Sequence, residues 1–341
     1  MKWVDWVHHH FLVMIIVCYL LGALFPSFGL AVSGIHFGII GTGEEALKLS
    51  IPFFMLSMLL FNSGLSVKQS ELKTLRHHPG TLVIGIALNF ALPLSIIYII
   101  AKTLSSWHNQ DEFQNILVGL ALVGAMPIAA SSTAWTQKGN GNLALSLGLI
   151  LLSTLLSPLT TPMALHFSGS LTSGDYSEDL HLLADGNANI FLMLSVVIPS
   201  VAGLLLHWVI KEAQAAKLRH QLKELNLLIL LLLNYFNASH VLPGIFQNPD
   251  WDYLGIIIVV TLLLCVSAFG VAWLTALAIK TDASNRIALT YGLGMNNNGT
   301  GLVLASMTLS DHPLVMLPII IYNLLQHIVA GVVDKLENDE S

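Results

Sequence analysis

Two stretches of this 341-residue chain put polar, helix-breaking residues inside apolar runs. The first reads ILVGLALVGAMPIAASSTAWTQ. Here Pro127 removes a backbone donor, and Ser131, Ser132 and Thr133 follow it. The second reads IALTYGLGMNNNGTGLVLASM, where Gly292, Gly294, Gly299 and Gly301 flank Asn296, Asn297 and Asn298. Residues of these types unwind a helix, which bares carbonyls on one side of the break and N–H groups on the other. Carbonyl ends suit a cation, and the positive N-terminal ends of half-helices suit an anion. Catalytic chemistry has far less to work with. No Asp or Glu falls in the middle of an apolar run, no HExxH motif is present, and His327 is the only base inside a late run. The chain therefore reads as a binder of solutes. It is not read as an enzyme, and no cofactor or transition metal is expected.

The elements holding these stretches must cross a bilayer. Apolar residues make up 55% and charged ones 10%, where a soluble surface usually needs about 25%. Mean hydropathy is +0.74. A spanning helix needs about 20 apolar residues, and ten such runs occur: roughly 11–33, 46–66, 79–101, 113–134, 143–166, 187–209, 222–243, 253–279, 287–308 and 313–333. The ten-residue alternation of a membrane barrel is absent. Lys2 precedes the first run as in a signal peptide, but the run is too long for one, and Trp3 and Trp6 read as interfacial anchors. The histidines at 8–10 read as interfacial too. Cys18 and Cys265 lie in apolar runs and imply no disulfide. With 14 basic against 20 acidic residues there is no footprint for nucleic acid.

Basic residues fall unevenly between the two sides. Lys2, Lys68, Lys73, Arg76, Lys138, Lys211, Lys217, Arg219, Lys223, Lys280, Arg286 and Lys335 share the side of the N-terminus, and only Lys48 and Lys102 face them. The positive-inside rule then predicts cytoplasmic termini in an inner (plasma) membrane protein, which requires an even number of spans. Spans one to five and six to ten start at a near-constant offset. Two five-helix halves follow, about 11–166 and 187–333, with a short tail at 334–341. Five is odd, so the halves are inverted, and the interrupted spans are the fourth of each half. Inverted repeats with matching broken helices mark secondary transporters. The expected fold is all-α, a single transmembrane domain of ten helices in two inverted repeats.

At these residues the sequence resembles the bile acid:sodium symporter family. The resemblance extends from about residue 50 to 333. It is carried by Pro127 to Asn142 with the following LALSLGLILLSTLLSPLTTP, by Gly294-Met295-Asn296-Asn297, and by the tail YNLLQHIVAG with His327 and Gly331. A weaker match is IGIALNFALPL in the third span. The resemblance implies a panel and a core of helices that move against each other, with the fourth and ninth helices crossing in the core. It implies an organic anion substrate, bile acid-like or keto acid-like, moved by symport with sodium. One family sodium site falls on Ser132, Thr133 and Ser146. The second falls on Asn89 and on Leu293, Met295 and Asn296. The anion falls near Ser131, Asn297 and Asn298, with His327 as a further candidate.

This sequence departs from the family pattern at Gly292, where a Glu shared by both sodium ions is common, and at Ile150, Thr133, Asn89 and Asn296. Two cations without a counter-charge would repel each other in a low dielectric. At most one sodium is therefore expected unless the substrate supplies the missing charge. The alternative reading is a sodium-independent ten-helix anion carrier of the auxin-efflux type, or a channel or sensor on the same scaffold. Asn234, Asn237 and Asn323 read as hydrogen-bonding glue between helices, and Pro158, Pro162 and Pro199 as kinks.

Overall fold

A computed structural model describes residues 10–40, 47–68, 70, 79–210 and 212–339. Trp3, Trp6, His8 and His9, together with Lys2, Lys73, Arg76 and Lys211 of the charge comparison, lie outside the described residues. The expected first span is not one helix. It divides into α1 (Phe11–Leu24) and α2 (Pro26–Ser33), bent by 91°. Pro26 has no N–H to continue the ladder, and it forces Phe25 out of the helical region to φ −130°, ψ 61°. An antiparallel pair follows, β1 (His36–Ile40) with β2 (Leu47–Ser50). The second apolar run therefore enters its helix α3 (Ile51–Leu65) at Ile51, capped by the Ser50 hydroxyl accepting from the Phe53 N–H.

Long apolar helices occupy most of the remaining runs: α4 (Pro79–Thr103), and then, beyond two shorter pieces, α7 (Leu143–Gly169). Those pieces are α5 (Gln110–Ala125) and α6 (Ser131–Lys138). The sixth run starts early, with α8 (Asp175–Leu182). It passes through two π-turns at Leu183–Asn187 and Met193–Val197, separated by α9 (Ala188–Leu192), into α10 (Ile198–Val209). The second π-turn lies just upstream of Pro199, whose ring would otherwise meet the carbonyl four residues back. Pro158 and Pro162 are accommodated inside α7. Then come α11 (Glu212–Gln247), α12 (Trp251–Ala278), α13 (Ala283–Gly294), α14 (Asn298–Thr308) and α15 (Met316–Asp339). The last helix continues beyond the expected end of its span. There Asp334 pairs with Lys138 at 2.9 Å and Glu337 with Arg286 at 2.7 Å, tying α15 to α6 and α13.

Among the described residues, six helices are long and apolar enough to span a bilayer, or seven with the bent pair taken as one. The runs that fall short are α3 and the two interrupted ones, whose halves are each under 18 residues. Large apolar side chains such as Val83, Leu159, Val259 and Leu274 are exposed on the long helices, as lipid contact requires. The protein is an all-α polytopic membrane protein.

Two packing groups emerge. α11 packs along α1 and α3, and α3 packs along α10. That last contact is backbone on backbone, since a Cβ at Gly64 would overlap the Ser200 carbonyl and one at Gly203 the Phe61 carbonyl. The other group joins α4 to α7 and α12 to α15 around the interrupted helices.

Candidate functional site

Both interrupted runs do break, around Pro127 and at residues 295–297, but Ser131, Ser132, Thr133, Gly299 and Gly301, expected to help unwind the helices, lie in helix. α5 ends at Ala125, and residues 126–130 are non-helical before α6 begins. α13 ends at Gly294, and α14 begins at Asn298. The two breaks cross and are stitched by an antiparallel bridge between Ile128 and Asn296. The Ala129 N–H donates to the Met295 carbonyl at 2.9 Å, and the Asn297 N–H to the Pro127 carbonyl at 2.8 Å. Side chains take up several of the other freed groups. Thr161 donates to the Ala125 carbonyl at 2.6 Å, Tyr322 to the Gly294 carbonyl at 3.3 Å, and the Asn296 amide to the Val123 carbonyl at 3.0 Å. The Ile128 N–H donates to the Ser153 hydroxyl at 3.1 Å. Unwound backbone at this depth is thus satisfied by protein, as a bilayer interior demands.

The N-terminal ends of α6 and α14 open onto one cavity of about 310 Å³, walled on its far side by α1, α3 and α11. In α14 the N–H groups of Asn298, Thr300 and Gly301 bond back to Asn296 and Asn297, which leaves the Gly299 N–H for the cavity. At α6 the Ser132 and Thr133 N–H groups bond to Ala129 and Ala130, which leaves that of Ser131. Ser131, Asn297, Asn298 and His327 all line this cavity, so all four residues expected around an anion come together. Trp135 donates its indole N–H to His327 Nδ1 at 3.4 Å. Indole can only donate, so Nδ1 accepts and the imidazole proton rests on Nε2. Phe11 packs edge-on against the same ring at 5.4 Å.

The expected cation ligands divide. Thr133 and Ser146 meet, their hydroxyls 3.3 Å apart, while the Ser132 hydroxyl is buried without a partner. Thr136 joins them, donating to the Ser132 carbonyl at 2.9 Å, with the Ser146 hydroxyl 3.4 Å from its oxygen. Asn89 does not meet Leu293, Met295 and Asn296. Its unpartnered amide nitrogen opens instead onto a cavity of about 20 Å³ beside Gly124–Pro127, Ser153 and Thr160. The Met295 carbonyl already accepts from Ala129, and Asn296 faces the large cavity. At Gly292 a Cβ would stand 3.0 Å from Leu149, whose other methyl fills the space beside Gly85. An apolar side chain thus occupies the volume that a longer residue at 292 would enter.

A chain of side chains that periodicity does not reveal joins the two packing groups across the cavity wall. Tyr19 donates to Asn234 Oδ1 at 3.0 Å. Asn323 donates to the Tyr19 hydroxyl at 2.9 Å and to Asn234 at 3.1 Å. Gln326 donates to Asn323 at 3.3 Å and accepts from the Asn296 N–H at 3.1 Å. Asn234 and Asn323 are therefore interhelical glue as expected, while Asn237 lines the cavity. Gln326 sits beside His327 in the tail motif, but nothing in that motif indicates that its amide holds the second break.

Comparison with known proteins identifies a family and two relatives. The profile described as the SBF-like CPA transporter family matches residues 9–336. The uncharacterized protein YbaS of Bacillus subtilis (strain 168) is 25% identical over 292 residues, covering 85% of this chain and 89% of YbaS. The uncharacterized sodium-dependent transporter YocS of the same organism is 27% identical over 300 residues, covering 87% and 86%.

Proposed function

The chain belongs to the SBF-like CPA transporter family, and from that premise we propose that it is a secondary active transporter carrying an organic anion by alternating access, coupled to sodium. The observation that carries the reading is the meeting of two half-helix N-termini, α6 and α14, at one cavity between the packing groups. Bare N–H groups and the positive ends of helix dipoles favour a carboxylate there. The matching breaks support a ten-helix arrangement of two inverted five-helix halves, with α5–α6 of one corresponding to α13–α14 of the other. The asymmetry of basic residues supports cytoplasmic termini in the inner membrane.

Sodium, on this reading, is cargo held by the hydroxyls of Ser132, Thr133, Thr136 and Ser146, neutral oxygens suited to a hard cation. The partnerless Ser132 oxygen fits such a role, and the name of YocS supports it. At most one ion is held unless the substrate supplies the missing charge: Leu149 packs against Gly292, where the family commonly places a shared carboxylate, and two cations without a counter-charge repel each other.

Uptake into proteoliposomes tests the reading. A carrier saturates and shows counterflow, and Asn297→Ala and Ser132→Ala each abolish uptake in folded protein. Normal transport by both variants moves the site elsewhere. Anion affinity that is unchanged when Na⁺ is replaced by K⁺ or choline removes sodium coupling.

A further inference from the structure

Among the described residues, the cavity at the crossing has no charged side chain on its lining; its polar surface is built chiefly from carboxamides. Several of these are unfinished. Asn62 Oδ1, Asn226 Oδ1, Asn296 Oδ1 and both amide atoms of Asn298 are buried without a hydrogen-bond partner. Asn298 is 1% exposed, Asn296 2% and Asn62 7%. Buried polar atoms in folded proteins are almost always paired, so a cluster of unpaired ones on side chains that line one cavity indicates what the cavity receives. The unfinished groups occupy both sides of the space. Asn296 and Asn298 stand at the crossing, beside the open N–H groups of Ser131 and Gly299. Asn62 and Asn226 stand on α3 and α11 opposite.

We propose that the substrate is a compact polyhydroxylated organic acid, of the size and hydroxyl density of a sugar acid. Its carboxylate sits at the α6 and α14 ends, and its hydroxyls are read by Asn62, Asn226, Asn296 and Asn298. The inference rests on the reading of this cavity as the transport site. A carboxamide presents a donor and an acceptor side by side, and a hydroxyl is the small neutral group that answers either. An ammonium group is a poorer match, because burying it without a carboxylate leaves its charge uncompensated. Bulk is limited as well. About 310 Å³ lies at the low end of the roughly 300–1,000 Å³ of ligand cavities, which suits one sugar-sized chain or ring rather than a rigid polycycle. A site built to hydrogen-bond hydroxyls rejects an analogue lacking them, since the amides are then left unpaired in the complex.

The test uses the full chain with Na⁺ present and compares gluconate and galacturonate with hexanoate and sorbitol, by thermal shift and by counterflow in proteoliposomes. The expected result is saturable stabilisation and counterflow with a hydroxy acid at least tenfold tighter than hexanoate, and none with sorbitol. Asn62→Ala and Asn226→Ala each reduce that preference, and an undiminished preference in both folded variants overturns their role as hydroxyl readers. Hexanoate as tight as the hydroxy acids overturns the hydroxyl requirement but leaves the anion carrier standing. Sorbitol as tight as gluconate overturns the carboxylate half. Absence of saturable uptake for every organic acid overturns the transport reading itself. The ligand comparison needs only the unmodified chain, so a variant that fails to fold does not spoil it.

Discussion

Gln326 has the most exacting position around the crossing, because its side chain holds a backbone group that the second break has freed. Gln326→Leu keeps the approximate volume and removes both polar atoms. The Asn296 N–H, in a residue 2% exposed, then loses its acceptor at 3.1 Å, and Asn323 loses a donor at 3.3 Å. An orphaned buried donor costs about 1–3 kcal/mol and a lost side-chain bond about 1 kcal/mol. The expected destabilisation is therefore about 3 kcal/mol, close to a hundredfold in an equilibrium constant. Tyr19→Phe is the control. It removes a hydroxyl from the far end of the same chain of bonds and leaves every buried backbone donor paired, so about 1 kcal/mol is expected. Both variants are compared by reversible denaturant unfolding in detergent, and by uptake. Gln326→Leu should also lose transport, because it loosens the start of α14. If the two variants unfold within about 0.5 kcal/mol of each other, near the limit of such comparisons, the crossing is not held as described.

Three further outcomes are expected. Gly64→Ala and Gly203→Ala each place a methyl against a neighbouring backbone carbonyl that cannot rotate away; each should lose about 1–3 kcal/mol, and the double variant less than the sum, as unfolding curves will show. Burial raises the Asp179 carboxyl above its ordinary value of 3.8, with His312 at 3.5 Å only partly opposing the shift. The folded state therefore binds this proton more tightly, and the associated stability is present at low pH and lost as pH rises through the raised value. Asp179→Asn should flatten that part of the pH–stability profile, and an unchanged slope would exclude Asp179 as its source. Gly292→Glu alone should destabilise by driving Leu149 out of place, whereas Gly292→Glu with Leu149→Ala should recover folding and steepen the dependence of uptake on Na⁺. Equal stability of the single and double variants would show that Leu149 does not hold that space.

The two breaks were legible because Pro127 and the Gly–Asn run at 292–301 act on the backbone itself, whatever surrounds them. The same holds for Ser131, Asn297, Asn298 and His327, which line one cavity and lie within a turn of those breaks or on the helix behind them. Pro26 carried an equally local signal, yet the run from 11 to 33 reads as one span, because apolar composition on both sides of a bend looks continuous. Contacts between distant segments left no local trace. Gln326 on Asn296, Tyr19 on Asn234 and Gly64 against Ser200 depend on which helix faces which, and a lone amide or glycine in an apolar run is compatible with many neighbours. Asn89 is another such case: its type fits a ligand, but only the fold shows that it lines a small cavity beside Gly124–Pro127 at the first break.

The bridge from Ile128 to Asn296 bears on how such a protein would work. Two reciprocal backbone bonds join the half-helices into one knot that cannot flex without exposing peptide groups to lipid. A solute resting there would sit on a fixed pivot, and access from either face would come from the surrounding wall swinging past it. The seam that would part is the one where Asn323 reaches Tyr19 and Asn234. Those amide and phenol contacts are each worth only about 1 kcal/mol net, weak enough to be broken and remade.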